Sequence, residues 1–211
     1  MIVYTCLVGE IDVLKDPLFP HKEYKYICFS DRARDVSVWK IEPLIKSFDC
    51  PRLCARYHKT IGASLLNDDT LWQDAKLTFR SKIDFIQNQT LCLAKHPIRD
   101  CIYDEANKVV ELGKDNVFNT DNLITKYKFD KYPRHNGLYE TSLVYRNNCE
   151  SNKLMNSLWW DEIQVCVRDQ ISLPYILWKH GQKASLFNFD VFNNRYFEIA
   201  HHSTNKKVKF I

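Results

Sequence analysis

The sequence predicts an α/β domain built on a central, mostly parallel sheet flanked by helices. Two observations predict it. Short apolar, β-branched runs alternate with segments of helical spacing along the whole chain. No internal repeat, low-complexity stretch or obvious linker interrupts that alternation. At 211 residues one domain is the expectation, and a chain of this size buries roughly 70% of its unfolded surface.

The elements follow in order. Ile2–Val8 is an apolar run closed by Gly9, and Tyr24–Phe29 and Val36–Ile41 repeat its character. From Pro51 to about Leu66 the pattern changes: Leu53, Tyr57, Ile61 and Leu65 recur every fourth residue, and a proline can open a helix. That helix carries Arg52, Arg56 and Lys59 on a neighbouring face. Thr70–Asp74 reads as a strand ending in a carboxylate, Ser81 as the cap of a short helix through about Gln87, and Thr90–Ala94 as another strand. Helical spacing over Asp100–Leu112 stops at Gly113, and a second helix is expected over Asp121–Tyr127. Pro133 and Gly137 mark residues 130–138 as a connection before a strand at Ser142–Tyr145. Helices at Asn152–Val165 and Gln170–Lys179, a strand near Ser185–Phe189 and an aromatic tail complete the chain.

Composition narrows the function. Thirty basic against 26 acidic residues give +4, too weak a bias to predict nucleic-acid binding. No apolar run approaches the ~18 residues that span a bilayer. No basic leader precedes Ile2-Val3-Tyr4, so a cytoplasmic setting is expected. Eight cysteines at 6, 28, 50, 54, 92, 101, 149 and 166 form no C-x-x-C pair, and several sit in strand-like runs. They read as free, buried thiols. A phosphate-binding lysine loop, G-x-G-x-x-G and G-x-S-x-G are all missing, and only five glycines occur, which removes support for kinases, dinucleotide-binding dehydrogenases and α/β-hydrolases.

Parallel sheets bind ligands at the carboxyl ends of their strands, which directs attention to Thr5–Gly9, Ser30-Asp31 and Asp74. Asp74 ends an apolar strand, where it can either cap the next turn or hold a divalent cation against phosphates. Trp159 and Glu162 share a helix face, and Asp169 precedes a helix that it could cap. Tryptophans beside carboxylates suit a sugar-binding cleft, and suit a core equally well. His201 and His202 could supply a metal ligand, and Lys206 or Lys207 could reach a phosphate; all four could also be exposed polar residues.

Eight short blocks in fixed order resemble a glycosyltransferase family. They are Val3–Gly9, Tyr26–Asp31, Arg52 with Arg56–Lys59, Trp72-Gln73-Asp74, His96–Glu105, Gly137-Leu138-Tyr139-Glu140, Trp159–Glu162 and Arg168–Tyr175. The set is similar to the plant Golgi hexosyltransferases long described only as a domain of unknown function. It is similar also to the N-terminal domains of chlorovirus glycosyltransferases that decorate the major capsid protein. The resemblance implies a GT-A fold, a UDP-sugar donor and a divalent metal, Mn²⁺ or Mg²⁺. It implies a glycan or glycoprotein acceptor, a viral capsid glycan by analogy, with nucleic acid and membrane insertion excluded.

Carried to matching positions, the resemblance places Asp74 at the family's metal and diphosphate motif. The pattern here is Asp74-Ala75-Lys76, so the second aspartate is missing and Lys76 is offered to phosphate instead. His201 would complete the metal shell, and Lys207, six residues on, would hold the diphosphate. Thr5 and Asp31 are suited to the uracil and ribose, Arg56 and Lys59 to the diphosphate. Asp169 and Glu162 would act at the reacting centre, as a general base if the enzyme inverts or as sugar-positioning carboxylates if it retains; retention is the expectation. Trp159, Trp160, Glu140 and Gln170 would face the sugar or acceptor. The rival reading is a noncatalytic carbohydrate or nucleotide-sugar binding module whose metal motif has degenerated. The whole of 1–211 is expected to be one GT-A domain, with room for it to be the N-terminal part of a longer protein.

Overall fold

The structure, a computed structural model, describes residues 1–10, 12–86 and 89–200. Seven strands form the central sheet in the order β3-β2-β1-β4-β7-β6-β8. They are β1 (Ile2–Leu7), β2 (Lys25–Ser30), β3 (Lys40–Pro43), β4 (Thr70–Gln73), β6 (Leu91–Lys95), β7 (Tyr139–Arg146) and β8 (Ser185–Leu186). β1, β2, β3 and β4 run parallel, as do β6 and β8; only β7, between β4 and β6, runs the other way. That reversal decides the site: it brings the start of β7 to the rim where β1, β2 and β4 end.

Every residue of β1 is buried, as expected for a strand covered on both faces. Ile2, Tyr4 and Cys6 point into one core, with Trp72, Leu93, Val144, Trp159 and Leu177. The helices here are α1 (Pro51–Tyr57), which runs through a π-helical turn at His58–Gly62 into α2 (Ala63–Leu65), and α5 (Glu150–Val165) with α6 (Asp169–Lys179). Val3 and Leu7 point into the opposite core, which no helix among the described residues covers. A two-stranded antiparallel pair, β5 (Leu77–Phe79) and β9 (Phe197–Ile199), closes it together with Phe85, Phe187, Phe189 and Tyr196. Three layers result: helices, sheet, and a layer of loops and aromatic rings. A third core packs α3 (Ile102–Glu111) and α4 (Val117–Phe129) against α6.

Local expectations and structure differ in four places. The third strand lies at Lys40–Pro43 rather than Val36–Ile41, because the Asp16 carboxylate accepts the backbone N–H groups of Ser37 (2.7 Å) and Val38 (2.9 Å). Residues 81–86 form no helix; Ile83 and Phe85 instead pack into the loop-side core, a tertiary gain that overrides a weak propensity. The helix expected at Asp121–Tyr127 starts earlier, where Asn116 Oδ1 accepts the Phe118 N–H at 2.8 Å. β5 and β9, at three residues each, are too short to carry a readable alternation. No helix among the described residues is long and apolar enough to cross a membrane.

Candidate functional site

The ladder between β4 and β7 continues one step past Gln73, with the Asp74 N–H donating to Ser142 O at 2.8 Å. The carboxylate that follows therefore stands on the sheet rim. Its Oδ1 accepts the Trp72 indole N–H at 2.9 Å and lies 3.4 Å from Lys59 Nζ. The chain then turns sharply, closed by Leu77 N–H to Asp74 O at 2.9 Å, and buries Ala75 in the core.

Lys59 comes from the π turn, and its side chain is wholly buried. An ammonium has three donors to satisfy. Nζ donates to Asp169 Oδ2 and to the Thr141 carbonyl, each at 2.7 Å, and faces Asp74 with the third. Thr141 can accept because of a register shift between β6 and β7. Leu93 pairs with Val144 but Ala94 pairs with Glu140, so residues 141–143 arch out with no partner on β6.

Asp169 is the first residue of α6, where its charge also meets the positive end of the helix. It caps nothing. Its Oδ2 accepts from Lys59 and from Thr141 Oγ1 (2.9 Å), and Arg56 Nε lies 3.0 Å away as an ion pair set off the hydrogen-bond line. Burial pushes the Asp169 pKa up, but the Arg56 and Lys59 charges outweigh it and hold the carboxyl well below its usual range. Asp74 behaves alike: burial opposes, and Lys59, Arg56 and Lys76 prevail, so it too is lowered. The Lys59 ammonium is lowered by burial and by Arg56, against the pull of both aspartates. Two carboxylates and two cations thus form one electrically balanced cluster.

Glu140 sits beside it with the opposite character. Its Oε2 accepts from Gln170 Nε2 at 2.7 Å and its Oε1 from the Ser142 N–H at 3.1 Å. Burial and the nearby Asp74 charge raise its pKa, with Lys76 the main opposing cation. Of the three carboxyls in this group it alone is shifted toward the protonated form. Asp169, clamped by two cations, is a poor proton acceptor.

A second polar rim lies at the ends of β1 and β2. Both Asp31 oxygens accept the Gly9 N–H (3.1 and 3.2 Å), and Gly9 takes a left-handed backbone with φ of 70°. Arg34 ties the rim together through Gly9 O (2.7 Å), Leu7 O (3.2 Å), Asp31 Oδ1 (3.2 Å) and Ser30 Oγ (3.0 Å). Despite some burial, the Arg32 and Gly9 donors hold the Asp31 carboxyl below its ordinary value.

The structure therefore brings together Asp74, Lys76, Arg56, Lys59, Asp169, Gln170 and Glu140, and places Asp31 on the neighbouring rim. It does not bring the rest. Thr5 is in the middle of β1 and fully buried, its Oγ1 without a hydrogen-bond partner among the described residues. Within the group that is brought together, Lys59, expected at the diphosphate, is wholly buried and holds the two aspartates. Trp159 is a core residue whose indole N–H donates to Asp169 O and Ser172 Oγ, both at 3.1 Å. Trp160 packs on Phe48 and Tyr57. Glu162 faces α4, where Lys126 and the Tyr127 hydroxyl bind it. A helix face shared with Trp159 is no guide when that face is core. His201 and Lys207, with His202 and Lys206, lie outside the described residues. Thr141 and Arg34 escaped the sequence reading; their only signals are a polar Glu-Thr-Ser run inside a strand and a second basic residue after Ser30-Asp31.

Among the described residues, Asp74 is the one carboxylate expected to hold a metal that stands partly exposed at this rim. A Mg²⁺ or Mn²⁺ ion held by one or two carboxylates and by substrate phosphates fits such a donor set. A profile of the family described as "TOD1/MUCI70, glycosyltransferase-like domain" matches residues 29–204. No curated protein matches the chain. The matched stretch contains Asp74, Glu140 and Asp169 and leaves out β1.

Proposed function

Since the chain belongs to the TOD1/MUCI70 glycosyltransferase-like family, we propose that it moves a hexose or deoxyhexose from a UDP-sugar to a glycan acceptor. The acceptor we propose is the glycan of a glycoprotein such as a viral capsid protein, and the setting a reducing cytoplasm in which its eight free cysteines stay reduced. The observation that carries the reading is the balanced Asp74–Lys59–Asp169–Arg56 cluster at the end of β4, with Glu140 beside it.

Breaking a sugar–phosphate bond leaves negative charge on the diphosphate, and fixed cations near it lower the barrier. When bound, a divalent ion on Asp74 would neutralise that charge. Of the chain's own groups, Lys76 stands partly exposed next to Asp74, and Arg56 is the cluster's cation on the α1 side. Lys59 is a positioning residue that fixes both aspartates. Asp31, on the rim that Gly9 and Arg34 shape, offers carboxylate acceptors to a nucleoside. Glu140, oriented by Gln170, is the carboxyl that faces the donor sugar or the acceptor hydroxyl. With Asp169 and Glu162 engaged elsewhere, it is the candidate for proton or charge transfer in an inverting or a retaining course; we favour retention.

A second reading, a nucleotide-sugar binder without catalysis, is favoured by one observation: Ala75 is buried and Lys76 replaces the second motif aspartate. Calorimetric titration of UDP with Mn²⁺ and then with EDTA, repeated on Asp74→Ala, separates the outcomes. Binding that needs both metal and Asp74, followed by slow donor hydrolysis, supports the transferase. Binding without hydrolysis leaves the binder, and no binding removes the UDP-sugar donor.

A further inference from the structure

The first turn of α3 and the connection before β7 bring together three side chains that glycosyl transfer does not use. Cys101 is the N-cap residue of α3, in extended backbone, and Asp104 lies three residues on, so both project from the same end of the helix. His135 arrives from the connection at residues 130–138. The Cys101 thiol, an Asp104 carboxylate oxygen and a His135 ring nitrogen all lie within 4.8 Å of one another.

Two features make this more than a chance meeting. The donor set is sulfur, nitrogen and oxygen, which suits zinc rather than the oxygen-only preference of magnesium or calcium. The His135 Nδ1 is 2.8 Å from Asp100 Oδ1, the carboxylate–imidazole pairing that fixes the orientation of a metal-binding histidine. One main-chain and one side-chain hydrogen bond keep the two segments in place around it. Gly137 N–H donates to Asp100 O at 2.9 Å, and the Tyr103 hydroxyl donates to Tyr132 O at 2.7 Å.

The electrostatics permit a cation. Arg134 Nη2 binds Asp104 Oδ1 at 2.7 Å and lies over the Tyr103 ring, which leaves the second carboxylate oxygen for a metal. Burial is graded from the enclosed Cys101 to the exposed His135, so an ion can enter from the solvent side.

We propose that Cys101, Asp104 and His135 bind one zinc-type divalent cation, with Asp100 orienting the histidine and water or Asp100 completing the shell. Binding replaces the thiol proton of Cys101, released to solvent, with a sulfur–metal bond. The ion pins residues 130–138 to the start of α3. That connection leads straight into Tyr139 and Glu140, so the pin steadies the entrance of β7. The site stands independently of the donor site at Asp74.

The test is metal titration of the chelator-stripped protein. Zn²⁺ is measured in competition with a chromophoric chelator, and Co²⁺ by its spectrum. The expected result is one equivalent bound, a thiolate-to-cobalt charge-transfer band, and a rise in melting temperature with Zn²⁺. Cys101→Ser and His135→Ala should abolish the band, Asp100→Asn should weaken affinity about 10- to 100-fold, and Asp74→Ala should leave all three signals intact. If Cys101→Ser fails to fold, the exposed His135→Ala decides. A cobalt spectrum without a sulfur band, or zinc affinity unchanged by His135→Ala, overturns the proposal.

Discussion

Lys59 Nζ and Asp169 Oδ2 meet at 2.7 Å across 110 residues of chain, both out of reach of solvent. This contact joins the helix that follows β3 to the helix that follows α5, and it does so directly behind Asp74. Removing one member of a buried ion pair leaves the other charge without compensation, at a cost of about 3–5 kcal/mol. Lys59→Met should lower stability by that amount, or roughly 10 °C in melting temperature for a chain of this size. The double variant Lys59→Met/Asp169→Asn should recover part of the loss; strict additivity in urea unfolding would show the pair uncoupled.

Acid should act through the same cluster. The Asp169 carboxyl is held below its unfolded value of 3.8. Its contribution is complete above that value and fades as pH falls below it toward the folded value. Glu140 has the reverse sign: raised above 4.5, it favours the fold while protonated and loses that contribution as pH rises through its folded value. Urea unfolding between pH 3 and roughly pH 8 should show the Asp169→Asn curve flatter on the acid side. The gap between wild type and Glu140→Gln should change in the opposite direction with pH.

Glu140→Gln should separate binding from chemistry. It keeps the size of the side chain and a hydrogen bond to Gln170, so UDP affinity should stay within about threefold, or ~0.7 kcal/mol. Turnover of a UDP-sugar should fall by about 10²–10⁴-fold, as for loss of a group that exchanges protons or charge with substrate. Equal loss of binding and turnover would assign Glu140 a purely structural role.

Arg34 should matter for the nucleotide rim. Its guanidinium holds the Leu7 and Gly9 carbonyls and the Asp31 carboxylate in one arrangement. Arg34→Ala should cost about 1.5–3 kcal/mol of stability, as for hydrogen bonds to charged groups, and should weaken UDP binding. Unchanged UDP affinity would place the nucleoside elsewhere.

The cysteines should report as eight thiols. Six are buried, and only Cys50 and Cys149 are partly exposed. A thiol reagent should modify those two first in the native protein and all eight in denaturant. Burial pushes Cys28 and Cys92 up to about 12, so both should be inert until the fold opens.

The alternation of apolar runs with helical spacing located the sheet, the long helices and the rim at Asp74, because burial on two faces and on one face leave different periods in a sequence. The positions of Asp169, Gln170 and Arg56 in the fold are legible for the same reason: each lies on a clear helix. Lys59 is legible as a helix cation, but its pairing with two aspartates is not, since nothing in a helical pattern reveals a π turn. Thr141 acts through a carbonyl freed by a register shift, and a backbone group has no signature in side-chain order. Trp159 and Glu162 read equally as cleft or core, and only long-range packing decides between them.

The π turn at His58–Gly62 has one more consequence. A π turn accommodates an extra residue within a helical coil, so the two halves of the 51–65 helix are out of phase with each other. Arg56 lies before the offset and Lys59 within it, yet both converge on Asp169. What specifies the charge cluster is therefore a residue count as much as a set of residue types. Deleting Thr60 or Ile61 would leave the helix intact and turn Lys59 by about 100° relative to the half that follows, the angle of one α-helical step. Composition, hydropathy and helix content would all survive such a change, and the alignment of the two aspartates would not.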